Sequence, residues 1–105
     1  MGGNKEKSQP TGTSLNELYE YLTYRRDAEF TYDKIPYIIQ PESSDNKDWL
    51  VIWEISDEPK CICRHEISKD GDIPKDAIDK VLSEKCFDGK SFLEIEKEID
   101  VTIVY

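Results

Sequence analysis

The middle of the chain constrains the fold most, because β-type segments follow one another there across short polar links. Aromatic and β-branched residues, which are typical of strands, dominate residues 28–39 and then Trp49–Ile55 and Cys61–Ile67. Asp33 and Lys34 divide the first of these stretches and predict a two-residue hairpin loop. Because links this short connect antiparallel neighbours, the sequence predicts an antiparallel sheet.

Three details of these segments add to the prediction. The polar, turn-rich stretch Pro41–Asp48 predicts a surface loop. Pro36 lacks the amide hydrogen that a strand ladder uses, which favours an edge strand or a bulge at that position. In the segment that begins at Trp49, both alternating faces hold apolar residues. This pattern predicts a central strand with cover on both sides.

Amphipathic helical patterns lie on either side of the β-type region. Ser14-Leu15-Asn16-Glu17 is a Ser-x-x-Glu capping box that precedes a stripe of apolar residues, and Ser91-Phe92-Leu93-Glu94 is a second capping box. Residues 73–82 have the apolar spacing of another helix. The terminal run 101–105 is β-type and either adds a strand to the sheet or lies free.

Together these elements predict an α+β fold. We expect an antiparallel four- to five-stranded sheet packed with an N-terminal helix and two C-terminal helices. The 105 residues of the chain fit a single domain, expected over residues 14–105. Residues 1–13 contain no apolar residue after Met1, so we expect a disordered tail there.

An excess of acidic residues limits the classes of partner. The chain has 23 Asp and Glu against 14 Lys and Arg, a formal net charge of −9. Nucleic-acid binding needs basic side chains that displace counterions from phosphates, so direct binding of nucleic acid is not expected. The longest apolar run, residues 49–53, is far shorter than the ~20 residues of a membrane-spanning helix. With no apolar leader before residue 14, we expect a cytoplasmic protein without membrane contact.

One constellation could carry metal or thiol chemistry. Cys61, Cys63 and His65 alternate along one predicted strand, and Cys86 lies in a predicted loop, so the four are a candidate zinc site. Neighbours on one strand face lie about 7 Å apart, from two rises of about 3.3 Å, which is wide for two thiolates on one ion. The favoured interpretation is reduced, buried thiols beside an ordinary histidine, with no cofactor. A small metal- or thiol-based protein is the alternative.

The remaining motifs do not form a catalytic set. Asp88-Gly89-Lys90-Ser91 has the order of the end of a phosphate-binding loop, but Glu84 stands where that pattern needs glycine. Asp70-Gly71-Asp72 lacks the later carboxylate of a calcium-binding loop. His65 is the single histidine, and a cysteine next to it on a strand is poorly placed as a nucleophile. We therefore expect that the protein is not an enzyme.

The acidic surplus also indicates how the chain could bind another protein. A compact acidic domain attracts a basic partner, and tyrosines supply apolar area together with a polar tip. The candidate contact residues are Tyr21, Tyr24, Tyr32 and Tyr37. The sequence thus predicts a non-enzymatic acidic protein-binding module with a basic protein partner, and it leaves the oligomeric state open.

Three segments of the chain resemble small bacterial proteins of phage or mobile-element origin. The segments are Glu29–Ile39, Trp49–Ile55 and Phe87–Ile95. The resemblance names no activity, but it implies an accessory or inhibitory protein. That implication agrees with the binding role expected from the charge.

Overall fold

A computed structural model describes residues 14–69 and 71–104, and the expected tail over 1–13 lies outside the described residues. The described part has the predicted α+β fold. Its elements are, in chain order, α1 (Leu15–Thr23), β1 (Asp27–Tyr32), β2 (Ile35–Ser44), β3 (Lys47–Glu54), β4 (Lys60–Ile67), α2 (Lys75–Ser83), α3 (Phe92–Ile95), a 3₁₀ turn (Glu96–Glu98) and β5 (Val101–Val104). The five strands form one antiparallel sheet in the order β4-β3-β2-β1-β5, so the terminal run joins the sheet beside β1.

Two tight hairpins set the register of the inner strands. Asp33 and Lys34 join β1 to β2 with φ values of 53° and 69°, which confirms the predicted two-residue loop. Asp45 and Asn46 join β2 to β3 in the same conformation, with φ values of 54° and 66°. Positive φ at both positions is typical of the type I′ turn, whose twist matches that of the strands, and Asp and Asn tolerate it better than most residues.

The second hairpin makes the predicted surface loop over Pro41–Asp48 wrong. Residues 41–44 continue β2, residues 47–48 begin β3, and only Asp45 and Asn46 form the turn. The polar residues that indicated a loop are strand residues at the distal end of the sheet, where the hairpin extends towards solvent. Composition alone did not distinguish a polar hairpin from an irregular loop.

Pro36 lies inside the sheet, since β2 is flanked by β1 and β3, and the predicted edge strand is therefore wrong. The carbonyl of Pro36 accepts a hydrogen bond from the Ile55 amide at 2.8 Å. The amide and carbonyl of a strand residue point to the same neighbour, so the missing donor of Pro36 faces β3 and not β1. The position opposite Pro36 lies one residue beyond Glu54, the last residue of β3, where the hydrogen bonds between β2 and β3 end.

The alternation of side chains gives the sheet two unlike faces. All three α-helices pack on one of them, here called the covered face, and build the hydrophobic core with it. Its fully buried members include Leu18, Leu22, Ile39, Leu50, Ile52, Ile78, Leu82, Phe92 and Ile95. The opposite face, here called the open face, has no helix or strand over it among the described residues. The cover predicted on both sides of β3 is thus wrong for this face.

The helices that cover the core begin as predicted. Both capping boxes are present: the Ser14 hydroxyl accepts from the Glu17 amide, and the Ser91 hydroxyl accepts from the Glu94 amide, each at 3.2 Å. The second box starts the single helical turn that inserts Phe92 into the core. In the part of the chain that the structure describes, none of the helices has the length and apolar composition needed to span a bilayer.

Candidate functional site

One half of the open face is closed by its own side chains, which we call the tryptophan cluster: Trp49, Trp53, Arg64 and Glu42. The guanidinium carbon of Arg64 lies 3.8 Å from the ring centre of Trp49, a cation–π contact. The Trp53 indole N–H donates to the Glu42 carboxylate. Beneath these side chains Val51 is only 1% exposed. This half of the face is therefore packed and satisfied without a covering element.

The other half of the open face is concave. A cavity of about 660 Å³ lies between the ends of β1, β2 and β5 and the segment that leads into β5. Carboxylates stand around it, at Glu29, Glu98 and Asp100, and its apolar lining includes Pro36, Ile38, Ile55 and Ile99. We call this site the acidic concavity. None of the lining residues that the structure describes is Lys, Arg or His.

A further carboxylate, Asp27, lies near the concavity without being one of its lining residues. Asp27 precedes Glu29 by two residues on β1, so both carboxylates lie on the open face. Burial raises the pKa of Asp27 above its ordinary value, and the charge of Glu29 raises it further. The raised pKa means that burial and the neighbouring carboxylate disfavour the charged form of Asp27.

The shape and chemistry of the acidic concavity suit one kind of side chain. Lysine and arginine carry an aliphatic stem that packs on apolar surface and a charged head that stays in a polar environment. Here the stem would lie on Ile38 and Ile55, and the head would reach Glu29 or Asp100. Hydrogen bonds between a charged donor and a carboxylate are about twice as strong as neutral ones.

The structure does not gather the four predicted tyrosines on one surface. Tyr37 is 7% exposed and its ring stacks on Phe30 in the core, with 5.3 Å between ring centres. Tyr32 is partly buried against the same cluster. Tyr21 belongs to α1, and Tyr24, at the end of that helix, is 57% exposed. A partner contact by any of them stays a prediction, and Tyr37 has little surface to offer.

The cysteines and the histidine lie away from the acidic concavity, and they are divided between the two faces. A bulge in the β3–β4 pairing places Cys63 opposite Ile52 but Cys61 opposite Trp53, so Cys61 lies on the open face. Cys63 and His65 are on the covered face. Their ligand atoms and a carboxylate oxygen of Glu84 all lie within 4.8 Å of one another.

Cys86 completes this neighbourhood through Cys63. A hydrogen bond between the two thiols, together with burial, raises the pKa of Cys63, and the same hydrogen bond lowers the pKa of Cys86. Of the predicted metal-binding set, the structure therefore brings Cys63 and His65 together and places Cys86 beside Cys63. It separates Cys61 from them, and it adds Glu84.

Sequence reasoning missed the acidic concavity and the contribution of Glu84. Glu29, Glu98 and Asp100 come from segments that are distant in sequence and meet only because β5 pairs with β1. Glu84 had one usable signal, its position two residues before Cys86 at the end of the predicted helix. That signal has meaning only once the end of α2 is known to pack beside β4.

Comparison of the chain with protein-family models, curated proteins and solved structures found no match. The function is therefore inferred from the two sites themselves.

Proposed function

We propose that this chain is a non-enzymatic protein-binding module whose acidic concavity receives a basic, partly apolar segment of a partner protein. The observation that carries the proposal is a lining that combines three carboxylates, Glu29, Glu98 and Asp100, with apolar side chains and contains no basic residue among those described. A basic side chain of a partner protein would supply the positive charge that the described lining of this cavity does not contain.

Charge acts on two length scales in this proposal. The net charge of −9 accelerates the encounter with a basic partner, because the summed field attracts it before contact. The carboxylates of the concavity then fix where the partner sits. Apolar contact with Ile38 and Ile55 supplies affinity that salt does not screen.

Other classes of ligand fit the concavity less well. Phosphate groups would be repelled by the same carboxylates, which argues against nucleic acid. Among the described lining residues there is no histidine, cysteine, serine or lysine, so the carboxylates are the main groups that could exchange a proton there. We assign these carboxylates to charge recognition. A binding role is therefore favoured over catalysis.

The proposal also includes a biological setting. The three cysteines are free thiols, which favours a reducing compartment such as the cytoplasm. The accessory or inhibitory role expected from the sequence is kept as part of this proposal. An inhibitor would act by occupying the basic surface of its partner.

The proposal is tested with a defined probe, a synthetic peptide of alternating arginine and leucine. Amide chemical shifts of the labelled protein are followed by NMR during titration. We expect the shifts to concentrate at Glu29, Ile38, Ile55 and Asp100, and to weaken when serine replaces leucine in the peptide. Shifts spread evenly over the acidic surface would contradict a specific site.

A matched pair of double variants separates the site from general charge. Glu29→Lys with Asp100→Lys changes the net charge as much as Asp57→Lys with Glu58→Lys does, but the second pair lies in the exposed β3–β4 turn. We expect the first to weaken peptide binding at least tenfold, or about 1.4 kcal/mol, and the second to weaken it much less. Equal losses would show that the peptide responds only to net charge.

A further inference from the structure

A second cluster of functional side chains lies on the opposite side of the sheet, where β4 meets the end of α2. Cys63 and His65 project from β4, and Glu84 is the residue that ends α2. The His65 Nε2 atom lies 3.1 Å from Glu84 Oε1. The Cys63 sulfur, the imidazole and the carboxylate lie mutually within 4.8 Å.

Cys86 brings a fourth donor to the same place. Its thiol lies next to that of Cys63 and shifts its pKa, but Cys86 stands outside the group of three whose ligand atoms lie mutually within 4.8 Å. The Cys63 sulfur also lies 3.8 Å from the Val81 carbonyl oxygen in α2. The four donors thus come in two pairs, each with one residue between its members: Cys63 and His65 on a rigid strand, Glu84 and Cys86 on the connection that follows α2.

We infer that Cys63, His65, Glu84 and Cys86 form a binding site for a divalent cation of the zinc class. Two sulfurs, one imidazole nitrogen and one carboxylate oxygen are ligands that Zn²⁺ accepts in a tetrahedral arrangement. Thiolate and imidazole donors select against Mg²⁺ and Ca²⁺, which prefer oxygen ligands.

To bind an ion, the ligand atoms must move closer together. With metal–ligand bonds of about 2.0–2.3 Å, tetrahedral ligand atoms lie roughly 3.3–3.8 Å apart. The imidazole–carboxylate separation is already near this range, and the other pairs of the triad must approach by up to about 1.5 Å. Cys86, which lies outside the triad, must also turn towards it. Cys63 is held by β4, whereas Glu84 and Cys86 lie outside the regular elements and can adjust.

The charge of the four side chains and their exposure to solvent also suit a divalent cation. When both thiols are ionised, the four side chains carry three negative charges, which a dication offsets in part. Cys63 is buried at 5% exposure, while the side chains of His65 and Glu84 are 31% and 50% exposed and give the ion a path from solvent. Bound metal would fasten β4, an edge strand of the sheet, to the segment that leads into α3.

The test uses Co²⁺ as a spectroscopic probe with the reduced full chain, because Co²⁺ in a tetrahedral thiolate site gives a sulfur-to-metal charge-transfer band and intense visible bands. We expect one equivalent of Co²⁺ to produce both, and Zn²⁺ to displace it. We also expect Zn²⁺ to raise the melting temperature and a chelator to reverse the rise, since the ion binds only the folded chain.

Variants assign the ligands, and Cys61→Ser is the matched control because that thiol lies on the other face. Cys86→Ser should weaken the charge-transfer band and reduce Co²⁺ affinity at least tenfold, and Glu84→Gln should reduce affinity while sparing the charge-transfer band of the saturated site. Cys61→Ser should change neither. These three variants avoid the buried Cys63, and circular dichroism checks that each one folds.

Two results would overturn the inference. One is the absence of a thiolate charge-transfer band from the reduced, folded protein at millimolar Co²⁺. The other is a band that Cys61→Ser diminishes as much as Cys86→Ser does. Neither result bears on the acidic concavity, because the two sites share no residue and the inference does not depend on the proposed binding role.

Discussion

Strand residues on the two faces of the sheet are shielded from solvent by different structures. On the covered face, Ile39, Leu50 and Ile52 are fully buried because helices pack on them. On the open face, Val51 is nearly as buried, at 1% exposure, but it is shielded by the tryptophan cluster and not by an element of secondary structure. Burial of a strand residue therefore does not imply that a second layer lies over it.

The open face is itself divided. In the tryptophan cluster each indole N–H has an acceptor, and the Arg64 charge lies over an aromatic ring. In the acidic concavity, carboxylates surround an apolar floor and no basic side chain of the described lining offsets them. The tryptophan cluster thus pairs its own polar and charged groups, whereas the described lining of the acidic concavity leaves its negative charge without a basic side chain. This contrast is why the second half is the proposed binding surface.

The largest effect should come from comparing two adjacent residues of β3 that face opposite ways. Ile52→Ala should lower the free energy of unfolding by about 2–5 kcal/mol, since it leaves a cavity in a helix-covered core. Val51→Ala should cost about 1–2 kcal/mol, because the partly exposed side chains of the tryptophan cluster can shift to close the gap. Urea denaturation measures both, and an equal loss per carbon removed would mean that the open face is packed as tightly as the core.

A smaller effect is expected where the covering helices begin. Ser91→Ala should cost about 1–2 kcal/mol, because the buried Ser91 cap holds a single helical turn against the core. Ser14→Ala removes the same motif from the exposed start of α1 and should cost less. Thermal unfolding monitored by circular dichroism compares the two. A larger loss for the Ser14 variant would contradict the view that burial makes the second cap more important.

The next smaller effect is expected from substitutions in the tryptophan cluster. Arg64→Ala should cost about 0.5–1 kcal/mol, the usual range of a cation–π contact at an exposed site. Arg64→Lys keeps the charge but loses the planar group that lies on Trp49 and the hydrogen bond to Ser44, so it should recover only part of the loss. Tryptophan fluorescence should report the change near Trp49. Unchanged stability and fluorescence in Arg64→Ala would mean that the cluster closes without its cation.

The smallest effect concerns the carboxylates of the open face. The pKa of Asp27 is raised in the folded state, so folding favours its protonated form, and stability is lost as pH rises through and above the ordinary value. Asp27→Asn removes this loss and should raise the melting temperature at pH 7. The difference should vanish in acid below the ordinary pKa. Glu66→Gln is the control, because Glu66 lies 3.7 Å from Lys47 and its loss should not stabilise.

Local features of the fold were predictable from the sequence. The capping boxes at Ser14 and Ser91 and the turn at Asp33 and Lys34 each depend on residues a few positions apart. The α+β class followed from the order of the patterns. Pairing of sequential strands was also predictable, because short links leave no other arrangement.

Predictions failed where the answer depended on neighbours in space. Whether Pro36 lies at an edge depends on which strands pair with β2, and both β1 and β3 do. The apolar pattern of β3 could not distinguish cover by helices from cover by Trp49 and Trp53. The tyrosines were chosen for their chemistry, yet the burial of Tyr37 follows from the face on which β2 presents it.

Sequence by itself determined the order of helices and strands, the capping boxes at Ser14 and Ser91, the turn at Asp33 and Lys34 and the acidic charge, because these depend on composition and on contacts within a few residues. Only the tertiary structure decided which side chains meet. It brought Glu29 to Asp100 through the β1–β5 pairing, and it joined Cys63 and His65 to Glu84 while a single bulge turned Cys61 away. The physical reason is that a one-residue change of register moves a side chain to the other face of a sheet, and the register is fixed by long-range packing.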